Sequence, residues 1–586
     1  MMSDTTAERG TIANPVSAQV STTADGDNSK PLYVLKFGGS VLKSLDDFPA
    51  VAGEIYRQWR KGRSLVVVVS ALAGTTDRLF EEARAVAGGA DCTGIADAVS
   101  SGEEHAAALL RLACNRIGID AALCRAEAIG LRAQGQECDA DPTALAGGGI
   151  TAILKRSDIV IVPGFVALGA DGGRMLLGRG GTDTSAVFLA GELGAACVRL
   201  YKDVDGVFEA DPAQYPAARK YREVSWDKAL VIAEQLVHAK AVRYAQSKQL
   251  PIEVEGIGGK RPSRIAERNS FIDNSEPHRP VRIALAGYGI VGQQLTQLLA
   301  ADPHYQIAAI LVRDRDKRRD VSPPIAPTMD IKGFEQVEAD LLVDALSSDR
   351  LSAQLCLDAL YKGRSAVTAS KRLMAADMAA LLNVAQTKGA DIRYSAAVGG
   401  SMPLLEAIDR CEPGAIRAVH GILNGTVNFV LHQLALGQSL AEAIARARKA
   451  GFAEKDCSHD LSGADAAAKL AIIAHRAFGI DPKDVQVGSE ILDDSRAAAI
   501  AASGERWYQL AAVERKGNRV RGHVRLVPES EAGAGLNPCA EWNAARIDFE
   551  CGRASAVRGR GAGGYPTAHA MLADLEDLRA WGPKRP

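Results

Sequence analysis

The chain has 586 residues, 47% of them hydrophobic and 24% charged, with a formal net charge of −2. That length calls for several domains with separate cores, and a near-neutral charge with scattered basic residues excludes an electrostatic case for nucleic-acid binding. The ten cysteines show no Cys-x-x-Cys spacing, and no apolar run reaches the ~18 residues of a membrane span; the expectation is a cytoplasmic protein with free thiols that works on small molecules.

Residues 1–31, rich in Ser, Thr, Ala and Asp, read as a disordered tail. Nearly continuous apolar strands at 33–37, 65–69 and 159–162 then alternate with helical stretches. This pattern predicts an α/β domain over 32–259 whose sheet is covered on both faces. Residues 260–280, charged and rich in turn formers, read as a linker. A strand at 281–286, a helix at 294–300 and a second strand at 307–312 have the spacing of a βαβ unit, which opens a dinucleotide-binding domain over 281–405. Alanine-rich helices at 440–450 and 463–478 belong to an α+β domain over 406–555. The final segment, 556–586, holds a glycine-rich loop at 559–564 and a last helix at 567–578, which the family resemblance named below implies returns to the cofactor domain. There is no internal repeat.

A glycine cluster follows the opening strand of each half. Lys36-Phe37-Gly38-Gly39-Ser40 suits phosphate chemistry, because glycines admit an anion to backbone N–H groups while the ammonium neutralises charge; a tight turn with a solvated lysine fits this motif alone equally well. In the second cluster, Gly287, Gly289, Ile290, Val291 and Gly292 form a G-x-G-x-x-G turn that opens a helix, the setting that receives a dinucleotide pyrophosphate. The next strand ends in Val312-Arg313-Asp314-Arg315. Arg313 and Arg315 favour the 2′-phosphate of NADP, Asp314 leaves NAD open, and a solvated charged loop would look the same.

Further motifs follow the first cluster: Ser70-Ala71, Gly74-Thr75-Thr76-Asp77, Ser101-Gly102-Glu103 and Leu177-Gly178-Arg179-Gly180-Gly181-Thr182-Asp183. In this order, residues 32–259 resemble the catalytic domain of aspartokinases, within the amino-acid kinase family. The resemblance implies phosphoryl transfer from ATP, with Mg2+, to the side chain of aspartate. It places Lys36 on the transferring group, Arg179 on the α-carboxylate, Glu103 on the substrate ammonium, and Ser70 and Thr76 on the reacting carboxylate. Asp183 orients Lys36 or the metal-nucleotide, while Gly38, Gly39, Ser40, Asp203, Asp205 and Lys240 surround the nucleotide. A helix N-cap is the plainer reading of Asp183. Ala241-Val242 stands where the family usually has His-Pro after the lysine.

In the second half, Gly421-Ile422-Leu423-Asn424-Gly425-Thr426-Val427-Asn428 and residues 447–469 are joined by Thr368-Ala369-Ser370-Lys371, Val398-Gly399-Gly400 and the 559–567 loop. From 281 onward the chain resembles homoserine dehydrogenases. That resemblance implies NAD(P)H-dependent reduction of aspartate semialdehyde to homoserine. Lys469 is the implied proton donor and Lys371 its partner beside the cofactor. Glu454, Asp460 and Asp465 supply negative charge for the substrate ammonium, and the backbone at Val398 and Gly400 holds Na+ or K+. Asp465 and Lys469, spaced i,i+4, also read as an ordinary helix pair. Ser370, Ser395, Cys457 and Ser401-Met402 depart from the family's usual Asn, acid, Pro and Gly-Ile pair.

The combined expectation is an amino-acid-kinase-type α/β sandwich fused to a Rossmann domain and an α+β catalytic and dimerisation domain. Its two activities flank a middle step that needs another protein, so a transient contact with aspartate-semialdehyde dehydrogenase is expected, as is a homodimer formed through the dehydrogenase half. A linker confined to 260–280 leaves no room for the ACT domains of regulated aspartokinases, which implies weak or absent feedback by threonine or lysine. The rival reading keeps the dehydrogenase and makes the kinase-like half a structural or nucleotide-sensing module.

Overall fold

Side-chain alternation along the first strand decides what reaches the first glycine turn. The computed structural model describes residues 30–88, 94–232, 236–272, 279–300, 302–453, 456–517, 519–533, 535–538, 542–561 and 563–581; most of the expected tail, and Glu454, lie outside them. The first module runs Leu32–Phe37 (β1), Phe48–Trp59 (α1), Ser64–Val69 (β2), Ile95–Ile117 (α2), Ile159–Pro163 (β3), Gly181–Glu192 (α3), Cys197–Lys202 (β4), Ala239–Lys248 (α4) and Ile252–Gly256 (β5). Strands β5, β4, β1, β2 and β3 lie parallel and side by side within a nine-stranded sheet. Successive side chains point to opposite faces. Leu35 and Phe37 join the core under α1 and α2, whereas Val34 joins the core under α3 and α4. Lys36, in phase with Val34, is therefore directed toward α3.

The sheet does not stop where a linker was expected. Ser263–Ala266 (β6) pairs antiparallel with β5, and Ser270–Phe271 (β7) pairs with Tyr221–Ser225. The part of the expected linker at 263–271 thus holds two strands of the first sheet. Ile265 is fully buried, and the Ser263 hydroxyl donates to the Tyr221 carbonyl at 2.6 Å. Short strands whose alternate residues are Arg and Ser carry little apolar signal, so they passed for a charged loop.

The second module contains Val281–Ala286 (β8), Ile290–Ala300 (α5), Tyr305–Leu311 (β9), Leu341–Asp344 (β10), Ser365–Thr368 (β11), Lys371–Lys388 (α6) and Ile392–Arg393 (β12). Its parallel sheet has the order β9-β8-β10-β11-β12. The strand order reverses between β8 and β10, and open α/β sheets bind their ligands in that crevice, outside the carboxyl ends of the strands. The third unit comprises Ile416–Ile422 (β13), Gly425–Ala435 (α7), Ala464–Phe478 (α8), Trp507–Lys516 (β14), Arg519–Pro528 (β15), Trp542–Phe549 (β16), Ala554–Arg560 (β17) and Gly564–Trp581 (α9). Its sheet runs β15-β14-β13-β16-β17, with Val487–Ser489 outside β15. Residues 554–560, divided in the sequence reading between a domain end and a loop, form one antiparallel edge strand on β16. The last helix begins at Gly564, earlier than expected, and Met571 and Leu575 pack with Leu295 and Leu299 of α5.

The same helix also faces the first module. Gly53 of α1 lets it approach: a Cβ there would lie 3.3 Å from the His569 ring. Beside this contact the Arg60 guanidinium, 4% exposed, meets Glu406 at 2.6 Å, Asp574 at 2.7 Å, Ser395 Oγ at 3.2 Å and Asp577 at 3.5 Å. Arg410 donates to the Arg60 carbonyl at 2.6 Å, and Lys260 donates to the Arg579 carbonyl at 2.6 Å. Burial works to raise the pKa of Glu406, yet Arg60 outweighs it and leaves the carboxyl below its ordinary value. Removing one partner of a buried pair leaves uncompensated charge. Arg60→Met is therefore expected to cost about 3–5 kcal/mol, measured by urea unfolding, and Asp574→Asn added to it should recover part of the loss. Equal stability of Arg60→Met and wild type would reject this role.

Candidate active sites

At the first site, two strand ends converge on the start of a helix. Lys36 near the end of β1 and Lys202 at the end of β4 stand on neighbouring parallel strands. The Asp183 carboxylate, in the first turn of α3, is ion-paired with Lys36 Nζ at 2.6 Å and accepts from Lys202 Nζ at 2.9 Å. Burial pushes the Asp183 pKa up, but the two ammoniums outweigh it and hold it at about 2. Burial lowers the Lys36 pKa against the pull of Asp183. The N-cap of α3 is Gly180, in left-handed backbone with φ 70°. Asp183 is therefore not the cap, and the helix dipole favours its charge. A Cβ at Gly38 would stand 2.3 Å from Lys36 Nζ, so a side chain there would push the lysine's tip from its place on Asp183.

Deeper in, Glu103 of α2 is 1% exposed. Its Oε1 accepts from the Ala71 amide at 3.3 Å and from Thr76 Oγ1 at 3.5 Å, while Oε2 is buried without a partner. Burial raises its pKa to about 7, with the Ala71 amide opposing. Ser70 Oγ lies 3.1 Å from Thr182 Oγ1, and Arg179 is exposed on the turn before α3. Next to Lys202 opens a cleft of about 310 Å³ lined by Ser40, Lys43, Asp47, Asp203, Asp205 and Gly256. Asp205 pairs with Lys220 at 2.9 Å. Lys240 does not join the Lys36 cluster: its ammonium meets Asp139 at 3.1 Å and Asp141 at 2.9 Å.

The second site is assembled around another buried aspartate. Asp465, in the first turn of α8, accepts from Lys469 at 2.8 Å and pairs with Lys371 at the start of α6. Lys469 Nζ also donates to the Leu423 carbonyl at 2.7 Å, which the Asn543 amide reaches at 3.1 Å. The Asn424 amide spans Asp460 at 2.8 Å and Asp465 at 3.0 Å, while its oxygen caps α7 through the Val427 N–H. Asp465 and Lys469 are therefore more than an isolated helix pair. Burial lowers the Lys469 pKa, opposed by Asp465, and raises that of Asp460. For Asp465 the two lysines outweigh burial and hold the carboxyl below the usual range.

Lys371 is placed by a relay from the sheet. Buried Asp344 accepts from Thr368 Oγ1 at 2.7 Å, Thr368 Oγ1 accepts from the Ser370 amide at 3.0 Å, and Ser370 Oγ caps α6. Ser370 thus does the N-capping work open to the family's usual Asn. The glycine cluster lies in the crevice between β8 and β10. A Cβ at Gly287 (φ 98°) would collide with the Ala345 carbonyl at 2.5 Å, and one at Gly292 with the Gly287 carbonyl at 2.3 Å. At Gly289 a Cβ would meet nothing within 4 Å, so this turn offers bare backbone at a helix start, which fits a pyrophosphate. Ile290 is exposed and rests near Gly564. Past β9, Arg319 donates to the carbonyls of Asp314, Arg315 and Lys317, and Arg315 to that of Pro327. Arg313 is exposed. At the Val398–Gly400 turn the Ser401 amide donates to the Arg560 carbonyl at 3.1 Å. Among the described residues, no three His, Cys, Asp or Glu side chains are grouped to hold a metal, and no helix is long and apolar enough to cross a membrane.

Sequence reasoning missed the positions of Lys202, Thr182, Asn424, Asp344 and Asn543. The first three sit inside motifs already singled out and could have been weighed as polar groups at strand and helix ends. Asn543, in an edge-proximal strand, gave no local signal.

Residues 31–255 match the amino acid kinase family, 287–395 match the homoserine dehydrogenase NAD binding domain and 403–575 match homoserine dehydrogenase. The homoserine dehydrogenase of Corynebacterium glutamicum is 32% identical over 332 residues, which cover 53% of this chain and 74% of that protein. An aspartokinase of Geobacillus stearothermophilus is 34% identical over 255 residues, 43% of this chain and 62% of its own length. Aspartokinase 2 of Bacillus subtilis is 32% identical over 247 residues, 42% of this chain and 60% of its own length. The chain spans less than two thirds of these aspartokinases. With a nicotinamide-dinucleotide domain, its catalytic partner and an amino acid kinase domain all matched in one polypeptide, the chain belongs to the homoserine dehydrogenase family and carries a match to the amino acid kinase family ahead of it.

Proposed function

We propose that the first site phosphorylates the side-chain carboxylate of L-aspartate with ATP, and that the second reduces L-aspartate 4-semialdehyde to L-homoserine. The observation that carries both readings is a buried aspartate held between two lysines, present at each of the two sites. A structural or nucleotide-sensing module would have no need of the buried Lys36–Asp183 pair or of the unpartnered Glu103 oxygen.

In the kinase, Lys36 neutralises the transferring phosphoryl group and Asp183 fixes its ammonium. Glu103 accepts the substrate ammonium through Oε2, Ser70 and Thr76 orient the reacting carboxylate, and the exposed Arg179 grips the α-carboxylate, for which a guanidinium fork is shaped. Mg2+ would enter with the nucleotide phosphates and need one or two carboxylates from the protein; Asp203 and Asp205 in the cleft fit that requirement. In the dehydrogenase, the bound nicotinamide supplies hydride. Lys469 gives its proton to the oxygen of the aldehyde as negative charge develops there. Asp465 holds Lys469 and Lys371 in place, and Asp460 with Glu454 supplies negative charge for the substrate ammonium.

The Arg313–Arg319 loop favours NADP over NAD, and the carbonyls at Val398 and Gly400 are the proposed ligands of a Na+ or K+ ion. A homodimer through the dehydrogenase half rests on resemblance. A transient contact with aspartate-semialdehyde dehydrogenase rests on chemistry, since aspartyl phosphate must be reduced before it can return as semialdehyde.

One purified chain is expected to form aspartyl hydroxamate from aspartate, ATP and hydroxylamine, and to oxidise homoserine with NADP better than with NAD. No hydroxamate from wild type would remove the first activity. Lys469→Ala should lower dehydrogenase kcat about 100- to 10,000-fold with NADP binding retained in a fluorescence titration; loss of both together would make Lys469 structural. Below about pH 7 the free Glu103 carboxyl carries a proton and offers no charge to an ammonium. The kinase kcat/KM for aspartate should therefore fall as pH drops below about 7 and level off above it, whereas Glu103→Gln is low and flat. A wild-type profile flat through this range would reject the assignment.

A further inference from the structure

The kinase site holds one more ammonium than its carboxylate can neutralise. Asp183 lies between Lys36 at 2.6 Å and Lys202 at 2.9 Å, and all three side chains are about nine-tenths buried or more, at 7%, 7% and 11% exposure. Two ammoniums and one carboxylate leave a surplus positive charge, which buried surroundings disfavour unless an anion joins them. Lys36 is already the closer partner of Asp183. Lys202 has a second outlook: it ends β4 opposite Gly256 of β5 and lines the cleft of about 310 Å³ with Ser40, Lys43, Asp203 and Asp205. Lys240, the other lysine expected near the nucleotide, is engaged by Asp139 and Asp141 and leaves the cluster without a third ammonium from α4.

We propose that Lys202, rather than Lys240, is the second cation that holds the transferring phosphoryl group. The assignment rests on the kinase reading above and deepens it. In the step, a side-chain carboxylate oxygen of aspartate attacks the γ-phosphorus while the bond from that phosphorus to the bridging oxygen of the β-phosphate breaks. The electron pair leaves with ADP, and no proton moves because the nucleophile is already an anion. Negative charge is spread over the equatorial oxygens and grows on the bridging oxygen. Two ammoniums fixed on one carboxylate meet that charge without having to reorganise. The cluster therefore uses Asp183 as a spacer: it sets the separation of its two lysines, and the incoming phosphoryl group completes the neutralisation.

Full-length Lys202→Met, Lys202→Arg and Lys240→Met chains would be compared in the hydroxamate assay with L-aspartate, MgATP and hydroxylamine. The dehydrogenase rate of the same preparations reports folding. Lys202→Met is expected to lower kinase kcat about 100- to 1,000-fold with little change in KM for aspartate and an unchanged dehydrogenase rate. Lys202→Arg should recover part of the loss, and Lys240→Met should lose less than about tenfold. Wild-type kcat in Lys202→Met, or a larger loss in Lys240→Met, would overturn the proposal. A parallel fall of both activities in Lys202→Met would mark a structural lysine and overturn it too. Absence of hydroxamate from wild type, with homoserine oxidation intact, would remove the kinase reading itself and this assignment with it.

Discussion

A single guanidinium ties the two enzymes into one body. Arg60, at the end of α1, is enclosed by Glu406, by Asp574 and Asp577 of α9, and by the Ser395 hydroxyl. A buried cation or a buried carboxylate alone would be strongly disfavoured, so each module presents a surface that only the other can satisfy. Helix α9 makes this possible because it has two working faces: Met571 and Leu575 pack against the nucleotide-binding domain, and Asp574 and His569 meet the kinase domain. Alignment is set by the buried charges.

The two active sites share an electrostatic plan on different frameworks. Asp183 and Asp465 each stand in the first turn of a helix whose N-cap is a left-handed glycine, Gly180 or Gly463. Neither helix has a side-chain cap there, so the dipole and the flanking lysines act together to keep the carboxylate ionised. In the kinase the lysines arrive from parallel strand ends; in the dehydrogenase one comes from the same helix and the other from the start of α6. The second site adds a carbonyl from Leu423 and the bridging Asn424, which pin Lys469 more firmly and draw Asp460 into the group. That difference would suit the proposed tasks: a phosphoryl group needs spread positive charge, whereas a proton must be delivered to one atom.

Much of this was legible in the sequence because it lies in short-range patterns. The strands that carry Lys36 and Gly287 are continuous apolar runs, and the glycines that follow are needed where side chains would collide with Lys36 or with the Ala345 carbonyl. Asp465 and Lys469 could be paired from their i,i+4 spacing alone. What escaped were partnerships between residues far apart in the chain. Lys202 reaches Asp183 only because β4 lies beside β1; Asn543 reaches Leu423 across the sheet; and Arg60 finds Asp574 through the packing of α9 on α1. Strands β6 and β7 were hidden for another reason: β6 sets one exposed arginine among three buried residues and β7 is two residues long, so neither sets up a period.

The position of α9 in the chain gives the interface a temporal meaning. Arg60 is made early and Asp574 late, so during synthesis Arg60 lacks this partner until nearly all of the dehydrogenase has emerged. The face of α1 that will meet α9 is then open to solvent, and Gly53 leaves it without a side chain at the crossing point. A chain interrupted before α9 would leave the Arg60 guanidinium without Asp574 and Asp577, and the α1 face around Gly53 without the helix that covers it.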